Sequence, residues 1–273
     1  MSTENNNHNS IAGQFKTTNS ADASQFVNIL VYGAVGLGKT VFGATGPGPV
    51  FYMDLDDGLL SVRRIKPDLG QELGIDTNQI YSQRIRKYDE LIRTMEKLHN
   101  CRNFKDYFGT IVFDNITVAQ VFCLSQRIGM KEAMSVEKLP ERTDWNLVLQ
   151  QMRAIITFVR DLPANTVFIA HEQFKDNMIG PMIQGSAYKQ IPGLVDLMAR
   201  YTIFEKEDDD GKGGKTTREV RALNFKPVSP IPGIRAGIEA KNRGGWLNDL
   251  EKPHLGRIIE KIYPKVEVEK QKG

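Results

Sequence analysis

An α/β fold on a mostly parallel central sheet follows from two features of the chain. From Phe26 onward, short apolar runs alternate with segments of helical periodicity. A glycine-rich phosphate-binding pattern also falls between the first apolar run and the first helical segment. Residues 27–32 read as the first strand, Val50–Asp54 as the second and Ile80–Arg84 as a weaker third. Leu91, Ile92, Met95 and Leu98 form one face of a helix. Thr110–Asp114 is the next strand, followed by a helix carrying Val118, Val121, Phe122 and Leu124. The clearest helix spans 144–160, where Trp145, Val148, Leu149, Met152, Ile155, Ile156 and Val159 make one stripe. Thr143 or Asp144 is its expected cap, and Pro163 lies past its end. Residues 166–170 return as a core strand. Residues 201–206 and 219–225 flank a glycine- and aspartate-rich tip, as in a C-terminal antiparallel hairpin.

Composition sets the outer limits. The 273 residues are 40% hydrophobic and 25% charged, the balance of an ordinary globular chain. No apolar run reaches the roughly 18 residues of a membrane span, so no membrane partner is expected. Residues 1–25 are polar and lack the apolar centre of an export signal; they read as a disordered arm. Cys101 and Cys123 form no zinc pattern, and the cytoplasm is the expected compartment. The expected divisions are this arm, a core over 26–263 and a charged tail over 264–273. A net charge of +3 leaves a polyanionic partner open without requiring one.

Gly33-Ala34-Val35-Gly36-Leu37-Gly38-Lys39-Thr40 matches the phosphate-loop pattern in full, between a strand and a helix start. Its glycines let successive N–H groups point at a phosphate, Lys39 reaches the β- and γ-phosphates, and the Thr40 hydroxyl ligates Mg²⁺. Val41 follows as a further cofactor-binding position. Thr110–Asp114 is an apolar strand ending in a carboxylate. If that strand neighbours the loop's strand, Asp114 stands across from Thr40 as the second Mg²⁺ group.

With these motifs in place the chain resembles the RecA-like ATPases. Phe51-Tyr52-Met53-Asp54-Leu55-Asp56 resembles their second core strand, whose terminal acid activates the attacking water. Asp56 holds that position where the family usually has Glu, with Asp54 and Asp57 as fallbacks. Val167-Phe168-Ile169-Ala170-His171-Glu172 resembles the strand that ends in the γ-phosphate sensor, which puts His171 in that role. Lys241-Asn242-Arg243-Gly244 resembles the basic finger of RadA proteins, with Gly244 in place of their Phe. In those families Lys241 and Arg243 would reach a neighbouring subunit's triphosphate.

The layout is most similar to phage core-only RecA-like proteins of the Sak type, single-strand annealing proteins. The resemblance implies ATP with Mg²⁺, self-assembly as a ring or filament, single-stranded DNA as partner, and contact with a single-strand binding protein. It implies annealing or strand exchange, and host cytoplasm if the chain is phage-encoded. By position the DNA-facing loops are 129–143, with Lys131, Lys138 and Arg142, and 173–192, with Phe174, Lys175, Tyr188 and Lys189. Cations there neutralise phosphates while aromatics stack on bases. Two other readings fit the motifs: an ATPase switch directed at a protein partner, and a nucleotide-gated structural module with negligible turnover.

Overall fold

The computed structural model describes residues 26–101, 103–129, 139–209, 215–233 and 235–264. The arm over 1–25, Lys131, Lys138, the hairpin tip over 210–214 and tail residues 265–273 lie outside the described residues. The strands are β1 Asn28–Gly33, β2 Val50–Asp54, β3 Ile80–Arg84, β4 Thr110–Asp114, β5 Asn165–Lys175, β6 Met178–Pro181, β7 Leu197–Asp209, β8 Lys215–Asn224, β9 Gly237–Ile238, β10 Lys241–Asn242 and β11 Leu250–Glu251. The helices include α1 Lys39–Ala44, α2 Tyr88–His99, α3 Ile116–Ile128, α4 Arg142–Arg160 and α5 Leu255–Ile262. None among the described residues is long and apolar enough to cross a membrane.

The sheet runs β11-β8-β7-β1-β5-β4-β2-β3. Its centre is parallel from β7 through β1, β5, β4 and β2 to β3. The β7–β8 hairpin and β11 extend it antiparallel, as the C-terminal hairpin reading requires. The central strands are near-continuous apolar runs because both faces are covered. Leu30, Tyr32, Ile111, Phe113, Phe168 and Ala170 face the layer of α2, α3 and α4. Ile29, Val31, Val112, Val167 and Ile169 face the layer that includes α1 and α5.

Three expectations are corrected. The strand carrying Asp114 is not next to the loop's strand. β5 lies between them, because its apolar segment supplies the two-faced strand that pairs with β1 on one side and β4 on the other. The expected loop over 173–192 is largely ordered. β5 continues to Lys175 and turns at Asp176 and Asn177, whose φ angles are 52° and 60°, then returns as β6. Two consecutive positive φ values suit a two-residue hairpin turn, and Asp and Asn tolerate them. Helix α4 is capped by Glu141. Its side chain accepts from the Asp144 amide while the Asp144 carboxylate accepts from the Glu141 amide, the latter at 3.0 Å.

Helix α5 carried no expectation, and it closes the core beneath α1. Leu255, Ile258 and Ile262 are buried there, and the Leu255 amide donates to Thr45 Oγ1 at 2.8 Å.

At the amino end of the sheet, buried Asn165 ties three segments. Its carbonyl accepts from the Val27 amide at 3.0 Å, and its amide donates to Gly109 O at 3.1 Å. Asn165→Ala leaves a buried donor unpaired, so it should cost about 1–3 kcal/mol of stability. Urea denaturation reads this as a lower midpoint with unchanged slope; an unchanged midpoint would show that the tie contributes nothing.

A candidate nucleotide site at the carboxyl edge of the sheet

The loop expected to hold phosphate leaves β1 at Gly33 and enters α1 at Lys39. Gly38 sits at φ 105°, which only glycine adopts freely, and this turns the chain into the helix. Lys39 is buried, and its ammonium donates to Gly33 O at 2.8 Å and Ala34 O at 2.7 Å. Burial lowers its pKa, while Asp114, then Glu172 and Asp56, pull it back up. The charge therefore sits inside the curve of the loop, where a phosphate oxygen would meet it. Tyr52 donates to Thr40 O at 2.7 Å and fixes the first turn of α1.

Thr40 and Asp114 meet across the end of β5. The Thr40 hydroxyl donates to Asp114 Oδ2 at 2.7 Å. Asp54 stands beside Asp114 in the β2–β4 register and is also buried, with Oδ1 lacking any hydrogen bond. Burial pushes the Asp114 carboxyl up to about 6; the Thr40 hydrogen bond opposes this, and the charges of Asp56 and Asp54 add to it. Gly58 packs over this pair, so a Cβ there would stand 3.2 Å from Thr40 Oγ1 and 3.5 Å from Asp114 Oδ2. A hydroxyl, crowded carboxylates short of positive charge and a space closed to side chains fit a hydrated Mg²⁺. Among the described residues no cluster of three or more His, Cys, Asp or Glu could hold a metal alone. Thr40 and Asp114 would thus share the ion with water and phosphate.

Beside this pair lies a second group. Asn115 Nδ2 donates to Asp56 Oδ2 at 2.9 Å and lies 3.2 Å from His171 Nε2, which is 3.3 Å from Asp56 Oδ2. Asp56 is 40% exposed at its side chain, enough for water to reach it. Asn115 is fixed as the cap of α3, its Oδ1 accepting from the Val118 amide at 2.8 Å. The Thr117 hydroxyl accepts from the His171 amide at 3.1 Å. The Asp114–Asn115 peptide is cis.

A family model described as AAA domain matches residues 25–232. The chain belongs to that family. It is thereby an AAA-type P-loop NTPase domain, and the sheet order and loop described above have the fold that this membership implies. No curated protein matches the chain.

Within the chain of this AAA protein the expected residues separate into groups. Lys39, Thr40, Asp114, Asp56 and His171 converge on one edge of the sheet. Lys241 and Arg243 lie at the opposite edge, where β10 pairs with the start of β7. Lys241 is held by the carbonyls of Val195 and of Pro192, the latter at 3.1 Å, and Arg243 pairs with Asp196 at 3.1 Å. Neither reaches this chain's own loop, and only Arg243 points a largely exposed cation outward. The Phe that RadA proteins carry after this arginine has no room at Gly244. A Cβ there would stand 2.4 Å from the Trp246 ring, which supplies an aromatic two residues later.

Phe174 and Lys175 are exposed where β5 nears its turn. Arg142 and Lys189 are exposed, Arg142 as the first residue of α4. Tyr188 is half-buried against the core and tied to the Glu239 carboxylate. Asn115, Thr117 and Gly58 were missed by sequence reasoning. An Asn directly after a strand-ending Asp, at a helix start, was the signal available for the first.

The raised Asp114 carboxyl sets a pH dependence. Its folded pKa lies above the ordinary carboxylate value, so ionising it costs stability as pH rises toward and through about 6. The ionised form is also the one that binds a cation. Mg²⁺-dependent nucleotide affinity should therefore fall about tenfold per unit below pH 6. Flat affinity between pH 5 and 7, measured with a fluorescent nucleotide in about 5 mM Mg²⁺, would place the metal elsewhere. Gly58→Ala crowds the same pair and should weaken the Mg²⁺-dependent part of binding by about tenfold or more. The same titration at pH 8 checks this, with the Mg²⁺-free affinity as the reference.

Proposed function

We propose that this AAA domain hydrolyses ATP with Mg²⁺ and acts on single-stranded DNA, as a RecA-like recombination protein of the Sak type that promotes annealing or strand exchange. The observation that carries the reading is the Asp56–Asn115–His171 group standing beside the Thr40–Asp114 pair. The loop would bind the triphosphate through its amides and Lys39. Thr40 and Asp114 would hold the Mg²⁺, which supplies charge neutralisation at the phosphates.

Asp56 is the base in this reading, taking a proton from water at its exposed carboxylate. Asn115 orients it by donating to Oδ2 and leaves Oδ1 for the water. His171 joins the same oxygen to the middle of β5, and Phe174 lies three residues further along that strand. Loss of the γ-phosphate would reach the hairpin by this route, since a shift at His171 moves the strand that bears Phe174 and Lys175. Exposed Phe174, Lys175 and Lys189 support DNA contact, the ring by stacking and the ammonium groups by phosphate neutralisation. The position of Arg243 at the far edge, with no contact to its own loop, supports a role toward a second copy.

Mg²⁺-dependent ATP hydrolysis with and without single-stranded DNA tests the whole reading, with Lys39→Ala as the blank. Asp56→Asn should lower turnover by about 10²-fold or more while retaining nucleotide binding. Arg243→Ala should bind ATP normally and hydrolyse it poorly; normal turnover would remove the contact in trans. Phe174→Ala with Lys175→Ala should weaken DNA binding about tenfold at fixed salt. Turnover indifferent to DNA would favour a switch directed at a protein partner. Absent turnover would leave a nucleotide-gated structural module.

A further inference from the structure

Tyr32 is the last residue before Gly33, and its ring is fully buried in the core. Its hydroxyl stands 2.5 Å from Glu239 O and 3.1 Å from Ile179 O. A phenol has one proton to give, so the two carbonyls share it. Ile179 belongs to β6, the return strand of the hairpin that follows His171. Glu239 belongs to the segment that joins β9 to β10, two residues before Lys241.

Hairpin and segment are also zipped to each other. The Gly237 amide donates to Asn177 O at 2.9 Å, and the Glu239 amide donates to Ile179 O at 3.0 Å. The Glu239 carboxylate is hydrogen-bonded with the Tyr188 hydroxyl. Gly180 lies directly under them, so a Cβ there would stand 2.6 Å from the Tyr188 oxygen and 2.8 Å from Glu239 Oε2. On its other side Tyr32 is joined by one peptide bond to Gly33, whose carbonyl accepts from the Lys39 ammonium at 2.8 Å.

We propose that Tyr32 is a positioning residue that couples occupancy of the phosphate-binding loop to the β5–β6 hairpin and to the segment over 237–243. The coupling deepens the ATPase reading and rests on it. A phosphate at Lys39 competes with the Gly33 carbonyl for the ammonium, and that frees the Gly33–Ala34 peptide, one residue beyond Tyr32. The ring is gripped by the core and cannot swing alone, so a change at the end of β1 moves the hydroxyl. The hydroxyl serves two half-buried carbonyls: Glu239 O must then follow it or lose this donor, and Ile179 O would be left with the Glu239 amide alone. One atom thus links the loop, the hairpin that bears Phe174 and Lys175, and the strand that leads to Arg243.

Tyr32→Phe keeps the ring and removes only this donor. Its thermal midpoint and nucleotide affinity are read first, with MgATP affinity expected within about twofold of the parent. The deciding measurement is hydrogen exchange of residues 174–181 and 237–243 with and without a non-hydrolysable ATP analogue. The parent should gain protection there on binding and Tyr32→Phe should not, and turnover should fall about fivefold or more. Gly180→Ala pushes on the same junction from the hairpin side without touching the hydroxyl, and should give the same loss. Parental protection changes and turnover in either folded variant would overturn the coupling. A parent with no turnover would instead overturn the ATPase reading, which keeps the two failures apart.

Discussion

Three carboxylates stand at one edge of the sheet with a single buried ammonium to face them, and much of the local design follows from that imbalance. Asp54 and Asp114 share a register position on neighbouring strands, and Asp56 follows two residues later. Lys39 is their buried cation, and its charge is turned toward the carbonyls of its own loop. Like charges this close are tolerated only if one is neutralised or a cation arrives. Burial raises the Asp114 pKa, the hydrogen bond from Thr40 opposes this, and the charges of Asp56 and Asp54 add to it. The edge is thus unfavourable as it stands and becomes favourable with Mg²⁺, so metal and nucleotide are expected to stabilise the chain.

Burial of both sheet faces is what brings these groups together. The parallel strands all end at the same edge, so each acid placed just past an apolar run arrives beside the others. This made much of the site legible in the sequence. The loop was readable from its glycines, Asp114 from its strand, and Asp56 and His171 from the resemblance. The insertion of β5 between β1 and β4 was not readable, because strand order depends on which two-faced run fits between which neighbours. Hydrophobic pattern alone does not carry that information.

Other misses have identifiable causes. Asp176-Asn177 is a hairpin-turn signal, but it follows His171 so closely that the resemblance to a loop outweighed the local chemistry. Asn115 carried a local cap signal, but its role as partner of Asp56 is fixed by tertiary placement. Gly58 matters only for the side chain it lacks. Tyr32 reads in sequence as one more apolar residue of β1, and only the folded chain shows which carbonyls its hydroxyl meets.

Where the chain departs from the RecA-like pattern that its sequence resembles, other groups stand close by. An Asp at position 56 is one methylene shorter than the usual Glu, so it cannot reach as far from its strand. The structure brings partners to it instead, with Asn115 from the cap of α3 and His171 from the middle of β5. At the other edge Gly244 replaces an aromatic, and the Trp246 ring fills the space that its missing side chain leaves. Site identity here is a property of the atoms assembled at each edge, and a motif read position by position understates it.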